Sequence, residues 1–192
     1  DGVVDDESVG FGIRVVADGA WGFASSARVE PREIDRIARL AVEIARASAL
    51  TRRQPVELGQ PIRSVGSYAT PVKQDPFVVS LDDKLAVLLD ADREMRAVPG
   101  ILVAEGSFEC QRLRKVFASS EGSWVEQTLV ETGAGIEALA VGEADTQRRS
   151  FPNSFGRHHG TAGYEHLLSL ALVGNGRRTA EEAVQILPAK PC

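Results

Sequence analysis

Apolar and polar positions alternate along "GFGIRVVADGAWGFASS", from Gly10 to Ser26, with Asp18-Gly19 interrupting the alternation near its centre. A two-residue hairpin turn needs positive φ at both positions, which Asp-Gly tolerates, so the pattern predicts a β-hairpin closed there. Closure at that point pairs Ala17 with Ala20, Val16 with Trp21, Val15 with Gly22, Arg14 with Phe23 and Ile13 with Ala24. One face then carries Phe11, Ile13 and Val15 opposite small partners; the other carries Val16, Trp21 and Phe23. Large-against-small pairing lets a helix approach closely, which gives the glycines a packing use. A phosphate-cradling loop would need GxGxxG or GxxxxGK[ST] ahead of a helix, and the segment has neither.

The period then lengthens. Pro31 suits a first helical turn, and Ile34, Ile37, Ala41, Ile44 and Ser48 share one stripe, with Arg32, Glu33, Arg36, Arg39, Glu43 and Arg46 mostly elsewhere. This predicts an amphipathic helix over the hairpin's apolar face. Residues 51–79, broken by Pro55, Pro61, Pro71 and Pro76, read as an irregular connection. Ser80 caps a second helix with Asp82 and Asp83 near its positive end and an apolar stripe of Leu81, Leu85, Leu88 and Met95, with Ala91 and Asp92 between. From Gly100 to Gly142 the period falls to two. Gln111-Arg112, Glu121-Gly122 and Gly133-Ala134-Gly135 divide that stretch into four strands of an antiparallel meander, with a further strand over "EADTQRRSF". "AGYEHLLSLALVG" and "GRRTAEEAVQILPA" read as two closing helices, the second opened by a Thr179-x-x-Glu182 capping box and ended by Pro188 and Pro191. The first ten residues read as the turn and second strand of a hairpin. Together these elements predict an α/β fold of the α+β type, with a mixed or mainly antiparallel sheet, a hairpin, a four-strand meander and packed helices.

Length and composition narrow the picture. A chain of 192 residues, 43% hydrophobic and 26% charged, buries a real core as one domain, or one domain with an appended segment. The net charge of −5, from 22 basic and 27 acidic side chains, argues against a domain built to neutralise phosphates. The pattern has neither a signal peptide nor an apolar run long enough to span a bilayer, so a cytoplasmic location and no membrane partner are expected.

Candidate chemistry is sparse. Cys110 and Cys192 make no disulfide framework and match no zinc spacing. His158 and His159 are adjacent and so point opposite ways in extended chain, and His166 follows seven residues after His159 with no carboxylate or cysteine at a zinc-ligand spacing. A surface loop accounts for them. Asp90, Asp92 and Glu94 read as a solvated helix face. Spacing selects no Ser-His-Asp or Cys-His set.

Three stretches together carry a family resemblance: "GFGIRVVADGAWGFASSARVEPREIDRIARLAVEIARAS", "KVFASSEGSWVEQ", and "GTAGYEHL" with "AEEAVQILPAKPC". The chain resembles the TldD/PmbA family, zinc metallopeptidases historically labelled modulators of DNA gyrase, and Trp21-Gly22-Phe23-Ala24-Ser25 looks more like its TldD side. The resemblance implies zinc held by a His-Glu-x-x-x-His helix and a further cysteine in a C-terminal half, with the Glu as general base. This sequence has no His-Glu-x-x-x-His: His158, His159 and His166 are followed by His, Gly and Leu. The resemblance therefore carries over no catalytic, cofactor-binding or metal residue, and Cys192 is not cast as the zinc ligand. Residues 1–192 look like a TldD-like N-terminal domain lacking its first element, with 177–192 leading toward a missing catalytic domain.

The function this implies is assembly and substrate guiding for a zinc metallopeptidase acting on unfolded or short peptides, the fragment alone being inactive. Its expected partners are the catalytic domain of the same polypeptide, a homologous subunit in a homo- or heterodimer, and peptide; nucleic acid is not expected. The alternative reading is a non-catalytic regulatory module that binds another protein, such as gyrase.

Overall fold

A computed structural model describes residues 2–143 and 145–189 of the chain. The chain divides into two compact units, Asp1–Pro61 and Ile62–Cys192. Each has its own hydrophobic core.

In the first unit, β1 (Phe11–Ala17) and β2 (Ala20–Ser26) form the hairpin and α1 (Pro31–Ala49) covers it. Asp18 and Gly19 both take positive φ, 49° and 72°, and the register from Ala17/Ala20 to Ile13/Ala24 is the one the alternation dictates. Ala20, Gly22 and Ala24 are buried. A Cβ on Gly22 would collide with the Ala41 carbonyl oxygen of α1, so the glycine sets how closely the helix can lie. The helix meets it with Ile37, Ala41 and Ala45, all buried, while Ile34 and Ile44 of the predicted stripe are 39% and 37% exposed. The contact line is therefore narrower and smaller in volume than apolar periodicity suggests. Residues 2–10, expected to include a strand, form no regular element and are exposed; Asp5, Asp6 and Glu7 are poor strand formers.

The second unit holds β3 (Val65–Ala69), α2 (Leu81–Arg96), β4 (Ile101–Ala118), β5 (Trp124–Val141), β6 (Thr146–Phe151), β7 (His158–Gly160), α3 (Tyr164–Ser169) and α4 (Leu172–Gln185). The expected four-strand meander is instead two long strands. β4 runs unbroken through Gln111-Arg112 and β5 through Gly133-Ala134-Gly135, paired antiparallel along their whole length. Those glycines mark close approach, not turns: a Cβ on Gly133 would strike the His159 ring, and one on Gly135 the Gly156 carbonyl. The opposite edge of β5 is shared in succession by β3, which is parallel to it, and by β7 and β6, which are antiparallel. β3 lies within the stretch expected to be irregular.

Even-numbered positions of β5 from Val130 to Ala140 are buried. Ala134, Ile136, Ala138 and Ala140 join Ala91 and Met95 of α2, Tyr164 and Leu167 of α3, and Leu172, Ala180 and Ala183 of α4 in one core. Ser80 caps α2 as expected, accepting a hydrogen bond from the Asp83 backbone N–H at 3.0 Å. Leu81 and Leu85 of its predicted stripe are 48% and 37% exposed, and Ala91 and Met95 make the buried contact. The final helix starts at Leu172, seven residues before the predicted capping box. Thr179 is buried inside it and donates to the Asn175 carbonyl at 2.9 Å, an interior helix contact that replaces capping. The expected division between the two closing helices at Gly174-Asn175-Gly176 falls inside α4, where Gly176 sits against the Ala91 carbonyl and Glu94 as α4 crosses α2.

Gly22→Ala should therefore cost the first unit about 3 kcal/mol, at the upper end of overpacking penalties, whereas Gly66→Ala in β3, with open space around it, should cost little. Denaturant unfolding followed by Trp21 fluorescence in a Trp124→Phe background checks the first, and circular dichroism the second.

Candidate functional site

Chemistry-bearing side chains of the second unit gather where β7 and α3 meet β4 and β5. Strand pairing sets His158 beside Ala134 and His159 beside Gly133, so adjacent histidines leave on opposite faces of the sheet. On the helix-covered face, His158 Nδ1 lies 3.3 Å from His166 Nε2, with ring centroids 5.3 Å apart. That contact needs one ring nitrogen to donate and the other to accept. On the other face, His159 Nε2 is 4.0 Å from a Glu109 carboxylate oxygen, which also takes a 2.6 Å bond from Arg157. Adjacency in sequence thus splits the histidines, and folding reunites only His158 with His166.

Glu165 is the anchor of this corner, and sequence reasoning passed over it. It accepts from the backbone N–H groups of Lys73 (3.1 Å), Gln74 (3.0 Å) and Gly163 (3.1 Å), tying the segment before α2 to the start of α3. Desolvation pushes its carboxyl pKa upward, but the hydrogen bonds from Lys73, Gln74, its own backbone and Gly163 outweigh that and hold it at about 2. In the first unit Glu33 plays a similar part. It is buried, takes two 2.8 Å bonds from Arg36 and one of 2.7 Å from Ser26, and its pKa is drawn down to about 2 chiefly by Arg36 and then Ser26. An acid in the first turn of a helix was a visible signal in both cases; the loop or strand end it would hold was not.

The acids of α2 face arginines: Asp90 faces Arg93, Asp92 faces Arg96, and Glu94 faces Arg177. Cys110 lies half-buried in β4 opposite Thr132, and Cys192 lies outside the described residues. Hollows open on the surface among the described residues. One of about 440 Å³ lies along Arg32, Arg36, Arg39 and Glu43 of α1, and one of about 250 Å³ lies between Glu105, Glu137, Phe155 and Arg157. A hydrolytic zinc needs three protein ligands and an open position. Among the described residues no three His, Cys, Asp or Glu side chains come together to hold a metal. The described residues do not fit a zinc site, and no chemical step follows through one. No helix among them is long and apolar enough to cross a membrane.

Two family profiles match the chain. Residues 1–45 match PmbA/TldA metallopeptidase domain 1, and residues 74–187, more than half the chain, match the PmbA/TldA metallopeptidase central domain. The chain belongs to the PmbA/TldD family. Its relatives include a metalloprotease of Methanothermobacter thermautotrophicus, 29% identical over 184 residues that make up 95% of this chain and 37% of the relative. A metalloprotease of Methanocaldococcus jannaschii is 26% identical over 202 residues, covering 100% of this chain and 42% of the relative. The chain thus spans roughly two-fifths of the length of these curated PmbA/TldD relatives. Among solved structures, a Thermotoga maritima protein described as a modulator of a DNA gyrase superposes with a TM-score of 0.70 at 18% identity, over 100% of this chain and 41% of that one. At that identity the likeness is one of fold.

Because Glu165 drops from 4.5 to about 2 on folding, the stability it contributes is full above about pH 4.5 and is lost as the pH falls toward 2. Glu165→Gln should lower the Tm of the second unit at pH 7. The gap from the unaltered chain should narrow through that window and close near pH 2, as read by thermal melts across the range.

Proposed function

We propose that this chain is the assembly and peptide-guiding portion of a TldD-like zinc metallopeptidase acting on unfolded or short peptides. The observation that carries the reading is the pair of profile matches to domain 1 and the central domain in a chain whose described residues bring no three zinc ligands together. On this reading zinc and hydrolysis belong to a catalytic domain of the same polypeptide, and the enzyme works in the cytoplasm with a homologous subunit. The hairpin β1–β2 is a two-stranded sheet, so both its strands have an outer edge on which an extended peptide can add backbone hydrogen bonds without regard to sequence.

The test uses the purified 192-residue chain: elemental analysis for zinc, an assay for cleavage of an unstructured fluorescent peptide, and anisotropy for binding of that peptide. The expected result is no stoichiometric zinc, no cleavage and saturable binding. One tightly bound zinc per chain, or cleavage that a chelator abolishes, would overturn it. Binding to gyrase with none to peptide would favour a regulatory module instead.

A further inference from the structure

β4 is an edge strand. Over its 18 residues it pairs with β5 on one side, and no strand among the described residues pairs with the other. From Gln111 to Ala118 every residue is exposed, including Val116 at 52% and Phe117 at 59%. Long open edges of this kind are either guarded by charge or used for pairing.

The charges along the strand decide between these. Glu105 and Glu109 lie in its first half and Arg112, Arg114 and Lys115 in its second. Glu105 and Lys115 are exposed and neither enters an ion pair among the described residues. Both occupy odd positions, on the face opposite the helices, since Leu88 of α2 lies against even-numbered Gly106. An edge with acid at one end and base at the other is complementary to itself once reversed. We propose that the free edge of β4 pairs antiparallel with the same edge of a second copy of this chain, about a two-fold axis through Cys110.

The register follows from side-chain direction. Residues opposed across an antiparallel seam must share a face, so a perpendicular two-fold axis must pass through a residue. Through Cys110, Glu105 meets Lys115 twice, Val116 meets Ala104, and Arg112 meets Phe108. Moving the axis to Glu109 opposes two glutamates, to Gln111 leaves no charged residue facing another, and to Arg112 opposes two arginines. The proposal locates the subunit contact of the proposed function, and rests on that reading only for the existence of a partner subunit. It also leaves the edges of the β1–β2 hairpin for peptide.

Sedimentation equilibrium of the 192-residue chain tests it, with circular dichroism to confirm that each variant is folded. The chain should dimerise. Glu105→Lys and Lys115→Glu should each raise the dimer Kd roughly tenfold to a hundredfold, because two cross-strand contacts turn from attraction to repulsion. The double swap should restore the Kd to within a few-fold. With Cys192→Ser in place, diamide should link the dimer through Cys110, whose opposed Cα atoms would lie about 4.5–5.5 Å apart, within disulfide range. A folded chain that stays monomeric at its highest soluble concentration would overturn the proposal and make the edge charges a guard. A dimer whose Kd ignores both reversals would place the contact elsewhere. Either failure leaves the zinc and peptide measurements of the proposed function untouched.

Discussion

The second unit depends on the hydrogen bonding of a single strand. β5 pairs with every other strand of that unit: β4 along one edge, and β3, β7 and β6 in turn along the other. Its sequence suits both duties. Ala134, Ile136, Ala138 and Ala140 let three helices settle on one face, while Gly133 and Gly135 admit the His159 ring and the Gly156–Arg157 backbone on the other. A strand buried on both faces cannot carry long side chains at every position, and close packing there comes from what the residues lack.

The first unit solves the same problem at smaller scale. Gly22 and Ala24 of the hairpin face Ala41 and Ala45 of α1, and Glu33 fastens the start of the helix to the end of β2 through Ser26. The apolar residues on the other face of the hairpin, Trp21 and Phe23, stand near Arg14, whose guanidinium lies 5.8 and 5.9 Å from their ring centres. At the closest approach of helix and hairpin small residues make the contact while Trp21 and Phe23 mark the surface, the reverse of what hydrophobicity alone implies, and Ile37, Ile13 and Val15 fill the core beside that contact.

This reversal explains which features were legible in the sequence. The hairpin register was, because Asp18-Gly19 is a local signal that leaves one closure. The cap at Ser80 was too. Gly133-Ala134-Gly135 and Gly176 were misread as breaks because a glycine that makes room for a neighbour has the same local appearance as one that ends an element. β3 was hidden for a different reason: five exposed residues acquire strand character only from β5, and Ser64 meets Ser123 across 59 positions of chain. At the candidate site, the divergence of His158 and His159 was readable from adjacency. The approach of His158 to His166, and the grip of Glu165 on Lys73 and Gln74, needed the three-dimensional arrangement.

The placement of β5 also orders events during synthesis. The hairpin and α1 find their partners within some forty residues of each other, so that unit can close while the rest of the chain is still being made. β3 emerges soon afterwards and has no strand to join until β5, whose Trp124 pairs with Val65, has been made. Pairing across so long a stretch of chain is intrinsically slower than the local closure of the hairpin. The interval between the two strands is the period in which the nascent chain most needs protection from wrong partners.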